Sequence, residues 1–291
     1  MTVQSRIETA ISSSTGQEAH FSTTQIAQGG CINDSRIVTL KDGRQFFVKT
    51  HPQANTTPGI FETEFEALQL LAEPNVIHVP KPVVYGDDFI VMEIFKEGTP
   101  ANDWQEQMGY RLAKLHLATK NKQYGFKRDN YLGTTKQINM WQDDWLIFWR
   151  EQRLGWQLKL FSAKTSKDDP LLISGERLMN KLDELIGYIN EPAVLLHGDL
   201  WSGNAAANEK GEPVIFDPAS YYGHREAEIG MMRLFGGFGP RCEAAYAEVW
   251  PLQDGSEQRI KLYRLYHELN HLNLFGSGYY QTCLSTIHSL L

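Results

Sequence analysis

The segment from His197 to Asn204 carries the residue types and spacing best suited to chemistry, and Asp217 follows it. Its pattern, His-x-Asp-x-x-x-x-Asn, is typical of the catalytic loop of kinases. In such a loop Asp199 acts as the base beside the attacking hydroxyl, while Asn204 and Asp217 hold Mg²⁺ against phosphates. The alternative is a polar loop in which Asp199 caps a turn and Asn204 satisfies backbone groups. The joint spacing of the three side chains favours a phosphoryl-transfer site.

A phosphoryl-transfer site also needs a cation for the phosphates, and Lys49 is the candidate because it ends a short apolar run. A strand there would point the lysine into a cleft. The next predicted helix offers Glu64 as its partner, with Glu62 and Glu66 as competitors. Taken alone, the lysine and the glutamates would be interpreted as surface charges. Together with Asp199, they predict a lysine on the phosphates with a glutamate partner.

Gly29 and Gly30 precede Lys49 by about twenty residues. A glycine turn lets backbone N–H groups approach phosphate oxygens closely. The sequence lacks the G-x-G-x-x-G pattern, and a hairpin turn is the alternative. The glycines therefore count as a nucleotide-binding turn only in combination with Lys49 and Asp199.

The first part of the chain is expected to be a small antiparallel sheet with one helix inserted. Short apolar runs separated by glycine turns indicate strands, and apolar residues at helical spacing indicate the helix. The expected elements are a helix at about 3–11, strands between 21 and 50, a helix at 61–71 and a buried strand at 89–95.

The rest of the chain is expected to be mostly helical. Apolar side chains recur at helical spacing in 104–115 and again in 260–272. Two apolar runs, 193–196 and 214–216, are too short for helices and predict strands that each end on a polar cluster.

These elements predict an α+β fold with two lobes. The β-rich nucleotide-binding lobe would comprise residues 1–95, and the helical catalytic and substrate lobe residues 96–291. A chain of 291 residues is long enough to bury one large core or two modest ones. Two lobes would enclose a cleft.

The amino-acid composition of the chain limits the kinds of partner and compartment that are expected. The formal net charge is -7 and the pI near 5.7, so nucleic acid is not an expected ligand. The sequence has no apolar run long enough for a signal peptide or a membrane span, which predicts a cytoplasmic protein. Cys31, Cys242 and Cys283 are far apart, so reduced thiols are expected.

Histidine and aromatic residues add two further expectations. His197 lies beside Asp199 and is expected to be buried and to brace the loop through hydrogen bonds, because no metal-binding histidine spacing is present. Most tryptophans follow helical spacing and belong to the core, whereas Trp201 lies inside the catalytic loop. Trp201 is therefore the candidate for the wall of a substrate pocket.

Taken together, several stretches of the sequence resemble the fructosamine kinase (ketosamine-3-kinase) family, relatives of aminoglycoside phosphotransferases with a protein-kinase-like fold. The likeness spans nearly the whole chain. The stretches are 29–34 (Gly-Gly-Cys-Ile-Asn-Asp), 47–49 (Phe-Val-Lys), 197–204, 216–223 (Phe-Asp-Pro-Ala-Ser-Tyr-Tyr-Gly), 234–238 (Leu-Phe-Gly-Gly-Phe) and 265–271 (Leu-Tyr-His-Glu-Leu-Asn-His).

The resemblance implies that ATP, with Mg²⁺, phosphorylates the 3-hydroxyl of a free or protein-bound ketosamine, the sugar adduct of an amine. The resulting phosphate is unstable and frees the amine, which is protein deglycation. The residues implied are Asp199 as base, Asn204 and Asp217 as Mg²⁺ ligands, Lys49 with Glu64 at the phosphates, and Glu93, Ile94 and Phe95 as the adenine hinge with Met92 as gatekeeper.

Two features depart from related patterns. Asp217 is followed by Pro-Ala instead of Phe-Gly, and the sequence has no Ala-Pro-Glu segment after it, which argues against protein Ser, Thr or Tyr substrates. His224 stands where many relatives carry Asp, and we assign that turn no catalytic part. The resemblance also implies that Cys31 responds to oxidation through an intermolecular disulfide; the alternative is a small residue that fits a tight turn.

Two other functions compete with a ketosamine kinase. An aminoglycoside-, choline- or thioribose-type kinase would share the ATP machinery, but the Trp201 loop and the stretch 235–238 match the ketosamine family. A non-catalytic pseudokinase would usually have lost one of the four central polar residues, and all four are present. The pattern leaves open whether fructosamines, ribulosamines or smaller adducts are the preferred substrates.

Overall fold

The computed structural model describes residues 2–27, 34–51, 57–187 and 189–291. They form two compact units, each with its own core. The first unit comprises Met1–Trp104 with Gly203–Pro218, and the second comprises Gln105–Ser202 with Ala219–Leu291. The predicted division into lobes between residues 95 and 96 stays a prediction. The compact units are divided differently, because residues 96–104 and 203–218 group with the first unit.

The described ranges contain both strands and helices, with most of the helices in the second half of the chain. The strands are β1 Phe21–Ile26, β2 Asp34–Leu40, β3 Gln45–Thr50, β4 Pro82–Gly86, β5 Phe89–Glu93, β6 Lys120–Asn121, β7 Asn130–Leu132, β8 Thr135–Gln137, β9 Ala193–Leu196, β10 Ala205–Ala207, β11 Pro213–Ile215 and β12 Tyr221–Gly223. The helices are α1 Val3–Thr15, α2 Ile60–Ala72, α3 Trp104–Ala118, α4 Trp145–Trp149, α5 Gly155–Ser162, α6 Pro170–Met179, α7 Leu182–Ile186, α8 Glu226–Met232, α9 Pro240–Val249, α10 Ser256–Phe275 and α11 Tyr280–His288. A π-helical stretch, Arg150–Leu154, joins α4 to α5.

The first unit is built on an antiparallel sheet in the order β1-β2-β3-β5-β4. Val38 and Leu40 of β2 are buried and Thr39 between them is only partly buried, as expected where one face of a sheet is covered. Ile7 and Ile11 of α1 pack on Val38, Val48 and Val91, and this apolar contact fixes α1 on the sheet. The predicted helix at 3–11 is confirmed and continues to Thr15.

Helix α2 confirms the predicted helix at 61–71 and carries one carboxylate on its buried face. Phe61, Leu68 and Leu71 are fully buried, as their helical spacing predicts. Glu64 lies on the same face at 8% exposure. An acid among apolar residues requires a partner, which β3 supplies.

A short hairpin of β10 and β11 completes the first unit. Its strands pair antiparallel from Ala205 opposite Ile215 to Ala207 opposite Pro213. The N–H of Gly98 donates to the carbonyl of Ala207 at 2.9 Å, which ties the hairpin to the chain after β5. The residues before β10 and after β11 therefore meet at one end of the hairpin.

The second unit is mainly helical around a small sheet in the order β12-β9-β6. Met108, Leu112 and Leu115 of α3 are buried, and α10 buries the side chains expected from its pattern. The predicted strand at 193–196 is β9, all four residues of which are buried. Among the described helices, none is long and apolar enough to cross a membrane.

Candidate active site

Lys49 is the centre of a buried charge cluster in the first unit. It lies near the end of β3 at 3% exposure. Its Nζ donates to Glu64 Oε1 at 2.7 Å and forms a second ion pair with the carboxylate of Asp217. Of the three candidate glutamates on α2, Glu64 is the one paired with the lysine. The geometry brings together three residues that are far apart in sequence.

The cluster contains more negative than positive groups, since one lysine ammonium lies beside two carboxylates. Burial alone would lower the pKa of Lys49, but the charges of Asp217 and Glu64 outweigh burial and raise it. Burial raises the pKa of Glu64, and the charge of Asp217 adds to this against the lowering effect of Lys49. Two carboxylates thus share one ammonium, so a further cation at Asp217 would be stabilised.

Asp217 has an unusual backbone conformation. Its φ is 61°, in the left-handed region that residues other than glycine seldom adopt. Asp tolerates this conformation better than most residues, but a cost remains, and such positions cluster at functional sites. The turn follows β11 and directs the carboxylate to Lys49.

Asn204 lies at the same end of the β10–β11 hairpin as Asp217. The N–H of Phe216 donates to the carbonyl of Asn204 at 3.1 Å, and the Asn204 side chain is mostly buried. An amide oxygen and a carboxylate are ligands that Mg²⁺ accepts. In the described part of the chain no three His, Cys, Asp or Glu side chains gather to hold a metal. Asn204 and Asp217 alone do not complete a metal site, and they fit Mg²⁺ if phosphate oxygens and water supply the remaining ligands.

The predicted adenine hinge lies at the end of β5. Met92 is buried and pairs with Phe47 of β3, and the pairing of these strands ends at Glu93 opposite Phe46. The strand predicted for 89–95 therefore stops two residues early, because Ile94 and Phe95 leave the sheet. The ring of Phe95 packs 5.9 Å from that of Phe216, next to Asp217. The backbone after Glu93 lies beyond the hydrogen-bonded ladder, as a hinge requires.

Gly29 and Gly30, the predicted phosphate turn, lie outside the described residues, as does Cys31. Their expected roles stay predictions.

Asp199 lies in the second unit on the loop that follows β9. Gly198 before it has φ 81°, and a Cβ there would meet the carbonyl oxygen of Ala219 at 2.2 Å, so the position requires glycine. His197 is fully buried; its Nδ1 accepts the N–H of Asp199 at 3.3 Å, and its carbonyl accepts the N–H of Ala219 at 2.9 Å. The expected brace by His197 is confirmed.

Glu228 of α8 holds this loop and is a residue that the sequence reasoning missed. Its Oε2 accepts the N–H of His197 at 2.5 Å and its Oε1 the N–H of Gly198 at 3.0 Å. The carboxylate is 1% exposed. Both bonds are to a charged acceptor, which strengthens them. The signal was available, since Glu226 and Glu228 are the two acids of an otherwise apolar helix.

A buried histidine stands behind Glu228. His116 Nδ1 lies 2.8 Å from the Tyr246 hydroxyl, and its Nε2 lies 3.8 Å from Glu228 Oε2. Burial lowers the pKa of His116, with Glu228 opposing the shift. A neutral ring next to Glu228 leaves the carboxylate free to accept from the loop.

The turn with His224 is structural. His224 is fully buried, with Nδ1 3.3 Å from the Tyr263 hydroxyl and Nε2 3.4 Å from Glu191 Oε2. Arg225 donates two hydrogen bonds to Glu191, at 2.7 and 2.8 Å. Burial would raise the pKa of Glu191, but His224 and Arg225 outweigh it and lower the pKa to about 2. The network packs β12 and α8 onto the chain before β9.

Trp201 follows Asp199 by two residues and is half-buried. Its ring contacts Phe235 edge-on, with centroids 5.4 Å apart. Phe235 belongs to the Leu-Phe-Gly-Gly-Phe stretch after α8 and is 39% exposed. An aromatic wall therefore adjoins the loop that carries Asp199.

Solved structures define the class of fold. The ternary complex of APH(2″)-IIa with streptomycin and ATP superposes with a TM-score of 0.65 at 12% identity, covering 99% of this chain and 97% of that one. At that identity the likeness concerns the fold alone. The chain has the protein-kinase-like fold of the small-molecule phosphotransferases, and the predicted α+β class is confirmed.

The chain belongs to the fructosamine kinase family, whose sequence model, described as Fructosamine kinase, matches residues 3–291. It is 44% identical over 270 residues to a chloroplastic protein-ribulosamine 3-kinase of Oryza sativa subsp. japonica, covering 90% of this chain and 77% of the relative. A crystal structure from Thermobifida fusca, provisionally assigned as a fructosamine-3-kinase, has a TM-score of 0.87 at 31% identity and covers 99% of this chain and 98% of that one. The chain is thus an ATP-dependent phosphotransferase that acts on an alcohol group.

Proposed function

We propose that this enzyme transfers the γ-phosphoryl group of ATP to the 3-hydroxyl of a ketosamine, and so acts in protein deglycation. The structural observation that carries the proposal is the loop after β9, which presents Asp199 and, two residues on, the aromatic wall of Trp201 and Phe235. The family match along the whole chain and the likeness to a ribulosamine 3-kinase support the same substrate class.

The reaction assigns a part to each polar residue. Asp199 accepts the proton of the 3-hydroxyl, the sugar oxygen bonds to the γ-phosphorus, and the bond to the β–γ bridging oxygen breaks to release ADP. Asn204 and Asp217 would hold Mg²⁺, which when bound would neutralise charge on the phosphates. Lys49 contacts the phosphates and Glu64 positions it. The backbone of 93–95 binds adenine behind Met92.

An aminoglycoside- or choline-type kinase is the second candidate, because its fold and its ATP residues would be similar. A single assay separates the two. Purified enzyme is given ATP, Mg²⁺ and, in turn, ribulose-lysine, fructose-lysine and a panel of aminoglycosides and choline, with Asp199→Asn as the blank. Turnover of the ketosamines alone is expected. Turnover of aminoglycosides or choline alone would contradict the proposal, and equal rates in Asp199→Asn would remove Asp199 as base.

A cytoplasmic location and a redox-linked dimer through Cys31 belong to the proposal as well. Burial raises the pKa of Cys242 and of Cys283 to about 12, with a further contribution from neighbouring carboxylates, so both thiols are poor nucleophiles. Peroxide should therefore give a disulfide-linked dimer on a non-reducing gel that Cys31→Ser abolishes. An unchanged monomer band, or a dimer that persists in Cys31→Ser, would contradict the link.

A further inference from the structure

The half-buried Trp201 and the exposed Phe235 form a pair of rings, here named the aromatic corner. Their centroids are 5.4 Å apart at 65°. Phe235 also packs on His271, with ring centroids 4.9 Å apart. Phe235 is 39% exposed although large rings are normally buried, so the corner leaves ring surface available to a ligand.

The loop that carries Phe235 is held in place from two sides. Gly237 has φ 96°, and a Cβ there would meet Ser202 Cβ at 2.2 Å, so this glycine lies directly on the Asp199 loop. Gln105 of α3 donates to the carbonyl of Gly237 and accepts the N–H of Gly239, both at 2.9 Å. The position of Phe235 relative to Trp201 is therefore fixed before any ligand binds.

The charges around the corner suit a cation. Burial lowers the pKa of His271, and a backbone hydrogen bond to His267 opposes this shift more weakly. Burial also lowers the pKa of His267, to about 3, and the nearby His271 and Arg153 add to that shift. Both rings are therefore neutral near pH 7. Among the described residues, no Lys or Arg lies over the ring of Trp201 or Phe235, although Lys or Arg covers several other rings.

We propose that the aromatic corner binds the protonated secondary amine of the substrate through cation–π contacts, with Phe235 as a residue that determines specificity. The inference rests on the proposed function. In a ketosamine the nitrogen lies on C1, roughly 5 Å at most from the 3-hydroxyl oxygen given bonds of about 1.5 Å. Trp201 follows Asp199 by two residues, a span of at most about 7 Å between Cα atoms, so one loop reaches both groups.

Recognition of the protonated amine would let the enzyme distinguish a ketosamine from a neutral sugar that carries the same hydroxyl groups. A neutral analogue of the same shape, a 1-O-alkyl ketose, keeps the 3-hydroxyl but lacks the positive charge. Rings that attract a cation favour the amine over this ether by about 3- to 20-fold. Asp199, when ionised, adds to the preference because it faces the same part of the substrate.

The test compares Phe235→Leu with Phe235→Tyr. Leucine keeps apolar bulk but has no ring, whereas tyrosine keeps the ring, and the site is exposed enough to accept either. The ratio of kcat/KM for a secondary ketosamine to that for its 1-O-alkyl ether is measured in each protein. We expect the ratio to fall about 3- to 20-fold in Phe235→Leu, through KM of the amine, and to be retained in Phe235→Tyr.

The outcomes separate the inference from the proposed function. An unchanged ratio in Phe235→Leu, or an equal fall in Phe235→Leu and Phe235→Tyr, would overturn the role of the ring while leaving the kinase activity intact. If the wild-type enzyme phosphorylates neither the amine nor the ether, the proposed function itself fails.

Discussion

The two units hold their polar residues by different means. In the first unit Lys49 is held by two ion pairs, one to the buried Glu64 and one to the partly exposed Asp217. In the second unit Asp199 is placed by its backbone, because Glu228 binds the loop at the two preceding N–H groups. Under the proposed reaction, the highly charged nucleotide contacts charged side chains, whereas the uncharged hydroxyl contacts a carboxylate whose position the backbone fixes. The predictions below break each arrangement in turn.

Replacing Lys49 should have the largest effect. Lys49→Met leaves the buried Glu64 and the partly exposed Asp217 without their cation and removes the proposed phosphate contact. We therefore expect kcat to fall by about 100-fold or more and stability also to fall. Steady-state kinetics and urea unfolding measure both. Lys210→Met, at an exposed turn, is the control and should match wild type. Full activity in Lys49→Met would contradict a phosphate contact.

Glu228→Gln tests placement through the backbone. An amide has one acceptor oxygen, so one loop N–H loses its partner and kcat should fall roughly 10- to 100-fold with KM for ATP little changed. Glu226→Gln, on the same helix, breaks a buried ion pair with Arg259 instead. It should lower the free energy of unfolding while kcat stays near wild type. Equal kinetics in the two variants would show that Glu228 is only structural.

Acid should weaken the second unit through Glu191. Its folded pKa, about 2, lies below the unfolded value of 4.5, so its stabilisation is present above pH 4.5 and is lost as pH falls toward 2. The full shift would cost about 2 kcal/mol between pH 6 and 3, and screening of the partly exposed carboxylate reduces the expected loss to about 1 kcal/mol. Glu64 has a raised pKa and shifts stability the opposite way. Urea unfolding of Glu191→Gln should show a smaller loss with acid; the same loss as wild type would exclude this source.

We expect the smallest effect from the loop that carries Phe235, where two neighbouring glycines offer a matched pair of variants. A Cβ on Gly237 would strike Ser202, whereas one on Gly236 would meet nothing within 4 Å, although both have positive φ. Gly237→Ala should raise KM for the ketosamine about 3- to 10-fold more than Gly236→Ala, because only the clash displaces the Asp199 loop. Equal values of KM would show that backbone strain, and not the contact, matters.

The sequence predicted the elements with strong periodicity and the residues with strict spacing. Helix α2 and β9 were found because their apolar residues recur regularly, and the partner of Lys49 was correctly expected to be Glu64. Glu228 was missed because its function depends on α8 packing beneath a loop 30 residues earlier, which spacing along a chain does not reveal. The end of β5 was placed two residues late because apolar Ile94 and Phe95 continue the pattern after the sheet has ended.

The most direct test of the account is the site of phosphorylation on a ketosamine. Phosphorus NMR of the reaction with ATP, Mg²⁺ and ribulose-lysine should show a sugar phosphate on O3 that decays as free lysine appears. The 3-deoxy analogue, which keeps the amine and the other hydroxyls, should give no sugar phosphate, and Asp199→Asn should give little from either substrate. A stable phosphate on another hydroxyl, or phosphorylation of the 3-deoxy analogue, would contradict the proposed reaction.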